Sequence, residues 1–187
     1  MLYLIRHAES ISNLLQSSTG SIFDELSYEA RQECLKLKDK TKDIKKKLNL
    51  KIVCTSAARS LETGSLLFGS EISIDSDWLE TDGGYLKNVP EKYTEKLFKL
   101  ENNIKRKYPN GESNLFMRDR VINSLKKYLK LISQQNIVII THLGPIKVVA
   151  EFLKFDLSYL NNLDGIVIRE INNKYKINIL QNGLFEA

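Results

Sequence analysis

Hydrophobic positions along this chain repeat with two different periods. Residues 1–5 (Met-Leu-Tyr-Leu-Ile) form an apolar run that is too short and too rich in strand formers for a helix, and they predict a strand. Further on, Ala30, Cys34, Leu37, Thr41, Ile44 and Leu48 recur at steps of four and three, with Ser27 available as N-cap and lysines on the opposite face. That spacing predicts an amphipathic helix lying on a sheet. Residues 51–55 read as a second strand, 58–68 as a helix stopped by Gly69, and 71–74 as a third strand. After Pro90, a helix is marked by Tyr93, Leu97, Leu100, Ile104 and Tyr108 and ended by Pro109-Asn110-Gly111. Residues 115–132 repeat the helical pattern, and 136–140 carry the four consecutive aliphatics of a buried strand. Pro145 suits the first turn of a helix running to Phe152. Residues 165–171 and 175–180, separated by Asn172-Asn173-Lys174, predict a hairpin.

Strand alternating with helix predicts an α/β fold, a three-layer α/β/α sandwich whose central sheet is mostly parallel with one antiparallel edge strand. Sheets of this kind bind ligands beyond the carboxyl ends of their strands. Residues 85–113 interrupt the alternation and read as a short helical lid insertion over that end. With no internal repeat or linker, 1–187 reads as one domain.

Composition adds mainly exclusions. The formal charge of +5 comes from 28 Lys+Arg against 23 Asp+Glu, a mild excess carried mostly by lysine, which a solvated surface explains. No basic stripe interleaved with aromatics points to nucleic acid. The two cysteines, Cys34 and Cys54, build neither a disulfide framework nor a zinc site, and Cys54 reads as a small buried hydrophobe. No apolar run approaches the ~20 residues that cross a membrane, and no leader pattern opens the chain. A cytoplasmic protein without a membrane partner is expected. An exposed sheet edge would allow a homodimer.

The chemistry concentrates at strand ends. The two histidines, His7 and His142, each follow an apolar strand directly. Arg6 precedes the first, and Arg59 follows the second strand. Two guanidiniums and two imidazoles on one rim repel one another unless something negative lies between them. Their natural guest is a phosphoryl group, because an arginine fork matches two phosphate oxygens at once.

Arg6-His7-Ala8-Glu9-Ser10, with Asn13 six residues past the histidine, resembles the Arg-His-Gly-Glu-Thr signature of the histidine phosphatase superfamily, the phosphoglycerate mutase-like proteins. Further motifs follow in that family's order. Ser56 with Arg59 and Thr63 is similar to its Ser-Pro-Leu-x-Arg-Ala-x-x-Thr, and Leu79-Glu80 with Gly84 to its catalytic-acid loop. Gly111-Glu112-Ser113 with Arg120 is similar to its Gly-Glu-Ser block, and Thr141-His142 to its second histidine. Ala8, Ala57-Ala58 and Leu143 depart from the pattern, and the lid lacks the family's Trp-x-Gly element.

The resemblance implies a nucleophilic His7 that attacks phosphorus through Nε2, its other nitrogen held as a donor to a backbone carbonyl. Arg6, Arg59 and His142 would hold the phosphoryl oxygens, Asn13 would add a hydrogen bond, and Glu80 would serve as acid and then base. No metal or other cofactor is implied. Leucine rather than aspartate follows His142, which places the acid on the Glu80 loop. Among rival carboxylates, Glu9 reads as orienting its loop or capping the next helix, Asp82 as a weaker candidate acid, and Glu62 and Glu112 as solvated or bracing. Lys87 is the lid residue best placed for a second anionic group. The expected activity is hydrolysis of a small phosphorylated metabolite, because the lid is short and the last strand lies close to the end of the sequence, leaving phosphohistidine open to water. A mutase and a noncatalytic phospho-ligand binder are the alternatives; a binder would be retained on phosphate resin yet release no phosphate from an ester.

Overall fold

In the computed structural model, residues 1–18, 21–98, 103–172 and 174–181 are described, apart from the side chains at positions 95 and 96. The strands are β1 (Leu2–Arg6), β2 (Leu50–Cys54), β3 (Ile72–Ile74), β4 (Asn136–Thr141), β5 (Gly165–Ile171) and β6 (Lys174–Leu180). They form one six-stranded sheet in the order β3-β2-β4-β1-β5-β6. β3, β2, β4 and β1 pair in parallel, whereas β5 pairs antiparallel with both β1 and β6. The edge strand β6 is thus paired antiparallel, as expected, and its partner β5 runs against the rest of the sheet. A hairpin adds two antiparallel pairings at once, because β6 folds back on β5.

The helices are α1 (Ile11–Leu14), α2 (Tyr28–Leu48), α3 (Ala58–Phe68), α4 (Glu91–Phe98), α5 (Asn114–Leu129) and α6 (Leu143–Phe152). Side-chain alternation along β1 divides the core between the two faces of the sheet. Leu2 and Leu4 join Ile137 and Ile139 of β4 under α5 and α6, with Met117, Val121, Leu125, Ile146 and Val149. Tyr3 and Ile5 join Val138 and Ile140 under α2 and α3, with Ala30, Cys34 and Leu67. Full burial of each such Leu or Ile contributes about 1.5–3 kcal/mol, and a one-residue slip of β1 would put each set on the wrong face. Ser27 caps α2 by accepting from the Ala30 N–H, as its position in the sequence predicts.

Parallel register positions the chemistry. Arg6 lies opposite Thr141, and Cys54 opposite Ile140. The residues that leave the sheet next, His7, His142 and Thr55, therefore emerge side by side at one edge of three adjacent strands.

The insertion departs from expectation. Its helix is described over Glu91–Phe98, residues 99–102, including Leu100, lie outside the described residues, and the segment from Ile104 to Tyr108 is not the helix expected there. The Phe98 and Tyr108 rings stack with centroids 4.0 Å apart. Spacing reads Tyr108 as the end of the helical stripe that begins at Tyr93, but its ring is buried against Phe98 instead. Among the described residues, no helix is long and apolar enough to cross a membrane.

Candidate active site

His7 begins the site because β1 ends beneath it. Its backbone N–H donates to the Thr141 carbonyl at 2.9 Å, so β4 fixes where the residue leaves the sheet. Its ring Nδ1 lies 2.7 Å from the Ala8 carbonyl oxygen. A carbonyl only accepts, so Nδ1 carries the proton and Nε2 keeps its lone pair. Ala8 is itself fixed: its N–H donates to Thr63 Oγ1 at 3.0 Å, and the hydroxyl donates to the Arg59 carbonyl at 2.7 Å. Thr63 thus links the helix that carries Arg59 to the peptide that orients His7. Asn162 completes the support by donating from Nδ2 to the His7 carbonyl at 2.9 Å.

Arg59 stands on the first turn of α3, buried among the other polar groups. Its Nε donates to His7 Nε2 at 3.1 Å, and its Nη2 lies 3.2 Å from His142 Nδ1. An arginine can only donate, so Nδ1 of His142 is the unprotonated nitrogen and its Nε2–H donates to Thr55 Oγ1, at 3.0 Å. The two imidazoles meet edge to face with centroids 5.0 Å apart. Burial pushes the pKa of His7 well below the ordinary imidazole value; the Arg59 charge lowers it further, the Ala8 carbonyl opposes, and Arg6 adds to the lowering. Burial also lowers His142 far below that value, followed by the charge of Arg59 and the proximity of His7. Both rings are neutral at pH 7, the state a nitrogen nucleophile needs.

Arg6 turns back so that Nη1 donates to the Leu160 carbonyl at 2.9 Å, while its buried Nε has no hydrogen-bond partner. Burial lowers the pKa of Arg59, with Asp24 and Glu80 pulling it back up. Asp24 accepts from the Ser12 N–H at 3.0 Å and sits 3.8 Å from Arg59 Nη1, its Oδ2 buried and without a hydrogen-bond partner. Arg6 and Asp24, which carry these two orphaned atoms, a donor and an acceptor, line one cavity. In native proteins such groups call for an explanation, and a bound ligand is one.

Asn13 belongs to a capping box on α1: Ser10 accepts from the Asn13 N–H, and Asn13 Oδ1 accepts from the Ser10 N–H. Asn162 Nδ2 also donates to that oxygen, at 3.1 Å. With Oδ1 doubly occupied, Nδ2 is the end left to meet a ligand. Glu9 does not cap the helix; Ser10 does, and the Glu9 carbonyl accepts from the Ser27 N–H.

Glu80 stands on the loop after β3 and reaches α6. Its Oε2 accepts from the Gly144 N–H at 2.9 Å, and its Oε1 from the Thr81 N–H at 3.0 Å. A Cβ added to Gly144 would lie 2.2 Å from Glu80 Oε1, so only glycine lets the carboxylate come this close. The loop is clamped from behind. Arg120 donates to the carbonyls of Asp77, Leu79 and Glu80 and pairs with Glu112, which also accepts from the Asp82 N–H. Thr141 Oγ1 ties the same loop to β4 through the Trp78 carbonyl at 2.6 Å. The Gly-Glu-Ser block thus acts as a brace, with Ser113 capping α5. Glu62 is likewise structural, bound to Arg31.

Arg6, His7, Asn13, Arg59, Glu80 and His142 line one cavity of about 310 Å³. Ser12, Asp24, Glu91, Tyr108 and Lys147 also line it, and the residue reading had not singled out Asp24, Thr55, Asn162 or Lys147 for the site. Lys87 is not among its lining residues. Its ammonium pairs with Asp82 at 2.7 Å, because the turn through Gly84 brings the two side chains together. Burial raises the Asp82 carboxyl, but the Lys87 contact and the Gly84 N–H outweigh it and hold the pKa below the usual range. Among the described residues, no three His, Cys, Asp or Glu side chains gather as metal ligands.

Comparison with known proteins identifies the fold and the family. No curated protein matches the sequence. Among solved structures, the α-ribazole phosphatase of Shigella flexneri superposes with a TM-score of 0.75 at 18% identity, covering 96% of this chain and 95% of that one. Mycobacterial glucosyl-3-phosphoglycerate phosphatase gives 0.73 at 17% identity, covering 96% and 97%. The YhfR protein of Bacillus stearothermophilus gives 0.75 at 17% identity, covering 97% and 96%. These likenesses establish the fold. The model of the histidine phosphatase superfamily (branch 1) matches residues 2–169, which take in both histidines, both arginines and the Glu80 loop, and the chain belongs to that family.

Proposed function

We propose that this chain is a phosphatase that hydrolyses a small phosphomonoester through a phosphohistidine on His7, without a metal. The observation that carries this reading is the state of His7: a neutral ring with Nδ1 tied to the Ala8 carbonyl and the Nε2 lone pair facing the cavity among Arg6, Arg59 and His142. Arg59 Nε donates to that lone pair. An entering phosphoryl group draws the guanidinium onto its oxygens and frees Nε2 for in-line attack.

In the first step Nε2 bonds to phosphorus as the bond to the ester oxygen breaks, and Glu80 gives its proton to the departing oxygen. In the second, Glu80 takes a proton from water, the water oxygen bonds to phosphorus, and the P–N bond breaks to release inorganic phosphate. Arg6 Nε, Arg59 and Asn13 Nδ2 donate to the equatorial oxygens as charge spreads over them. His142 joins them by taking up a proton on Nδ1 once a dianion lies beside it, while Nε2–H stays on Thr55. Two of the similar structures are named as phosphatases, for α-ribazole and for glucosyl-3-phosphoglycerate, which supports a metabolite-sized substrate.

The test is phosphate release from para-nitrophenyl phosphate with chelator present. Wild type should turn over and His7→Ala should not. Turnover that needs added metal, or that persists in His7→Ala, would falsify the reading; interconversion of phosphoglycerates without net hydrolysis would point to a mutase, and retention on phosphate resin without turnover to a binder.

A further inference from the structure

We propose that Lys147 selects the substrate by binding a second anionic group, a carboxylate or a second phosphate, beyond the phosphoryl site. The inference rests on the phosphomonoester reading above and adds the class of ester.

Lys147 lies on α6, three residues after Gly144, and residues at that spacing share a helix face. A Cβ on Gly144 would meet Glu80, and Gly144 and Lys147 both line the cavity, so this face is the one turned to it. From His142, the N-cap of the helix, five residues advance the chain by about 7.5 Å at 1.5 Å per residue. That offset suits a group separated from the reacting phosphorus by a few bonds.

Charge accounting singles out the same residue. Arg6 and Arg59 complete the cationic lining, and each is already engaged with a carbonyl or an imidazole. Lys87, Arg118 and Arg120 pair with Asp82, Glu151 and Glu112. Among the described residues Lys147 makes no hydrogen bond or ion pair, although Glu80 and Glu91 line the same cavity. Its neighbours Ile146, Val148, Val149 and Ala150 are buried, so the lysine is the lone charge in an apolar stretch.

A second hollow of about 550 Å³ supplies the space beyond. It is lined by Ile104, Arg118, Ala150, Phe155 and Leu157, and Lys147 lines it as well. Lys147 thus borders both hollows. A substrate that places its phosphoryl group on His7 can lay an acidic group against Lys147 and extend its remainder over the second hollow.

Binding of alkylphosphonates tests this without turnover. Wild type, Lys147→Met and Lys147→Arg are titrated by calorimetry with neutral-tailed phosphonates from propyl to hexyl, and with the same chains ending in a carboxylate or a second phosphonate. Lys147→Met keeps the apolar stem, and Lys147→Arg restores a charge. Wild type should bind at least one charged-tail series about 10-fold more tightly than its neutral counterpart, roughly 1.4 kcal/mol. Lys147→Met should bring that ratio to about 2 or less, in line with the loss of one partly exposed charge contact, and Lys147→Arg should recover it. The series that shows the preference tells carboxylate from phosphate. No preference in wild type, or a preference that survives Lys147→Met, overturns the proposal. Because affinity needs no chemistry, a failed hydrolysis assay leaves this result standing as its own measurement. If no phosphonate binds wild type, the phosphoryl pocket and the Lys147 assignment fall together.

Discussion

Replacing Gly144 with alanine tests whether the position of Glu80 governs turnover. The added Cβ would stand 2.2 Å from Glu80 Oε1 and 2.9 Å from both Cδ and Oε2. Ordinary contact begins near 3.4 Å, so the carboxylate must retreat by 1.2 Å, the difference between 3.4 and 2.2. A displacement of about 1 Å in a catalytic group costs on the order of 10²-fold, or roughly 2.7 kcal/mol in the barrier. Folding should not suffer in proportion. Gly144 sits in the first turn of α6 without a positive φ, where alanine favours the helix by about 0.5–1 kcal/mol. The assay is kcat/KM on glycerol phosphate and on para-nitrophenyl phosphate, with thermal melts alongside. The loss should be larger on glycerol phosphate, whose alkoxide leaves poorly without a proton. Adding Glu80→Asp, one methylene shorter, should recover part of the activity. Full activity in Gly144→Ala, or equal losses on the two esters, would refute the argument that Glu80 is the proton donor held by this contact.

Two further outcomes follow from the hydrogen bonds and charges of the site. Thr63→Val leaves the buried Ala8 N–H without its acceptor, so stability should fall by about 1–3 kcal/mol in urea melts and kcat by more than about 10-fold, with Thr63→Ser recovering both. His7 and His142 are neutral when folded but titrate near 6.5 when unfolded, so below that pH the unfolded chain binds more protons and stability falls as pH falls. Each neutral histidine contributes a slope of about 1.4 kcal/mol per pH unit over that acid range. His7→Ala should lose that share of the slope between pH 6 and 5, and an unchanged slope would contradict a neutral His7.

Most of the fold was legible because its strands are short apolar runs and its helices carry one apolar stripe. α3 spans 58–68 as its pattern predicts, and β5 and β6 form the hairpin expected of Asn172-Asn173-Lys174. α1 was missed because a four-residue helix has no periodicity to read. Its signal was polar: Ser10 and Asn13 form a capping box, whereas the sequence reading took Ser10 only as part of the signature and Asn13 only as a candidate ligand. The lid helix was drawn through to Tyr108 because that residue falls on the helical spacing, and spacing cannot distinguish a stripe position from a ring that stacks on Phe98. In the site, the histidines and arginines were legible because each ends a strand or opens the next helix. Lys87 was not placed correctly by spacing, since nothing local foretells that Asp82 would claim its charge. Lys147 was hidden within an apolar helix. Its only mark was a charge three residues after Gly144, and the importance of that face emerges from the Glu80 contact. Asp24 and Asn162 come from loops, whose approach to β1 depends on the whole chain.

The central claim is that phosphorus becomes bonded to His7, and trapping that bond tests it most directly. Wild type is mixed with substrate, quenched in alkali, where phosphohistidine survives, and its peptides are weighed. The account predicts the added mass of one phosphoryl group on the peptide that contains His7, lost on acid treatment and absent from His7→Ala. Steady turnover with an unlabelled His7, or label on another residue, would contradict it.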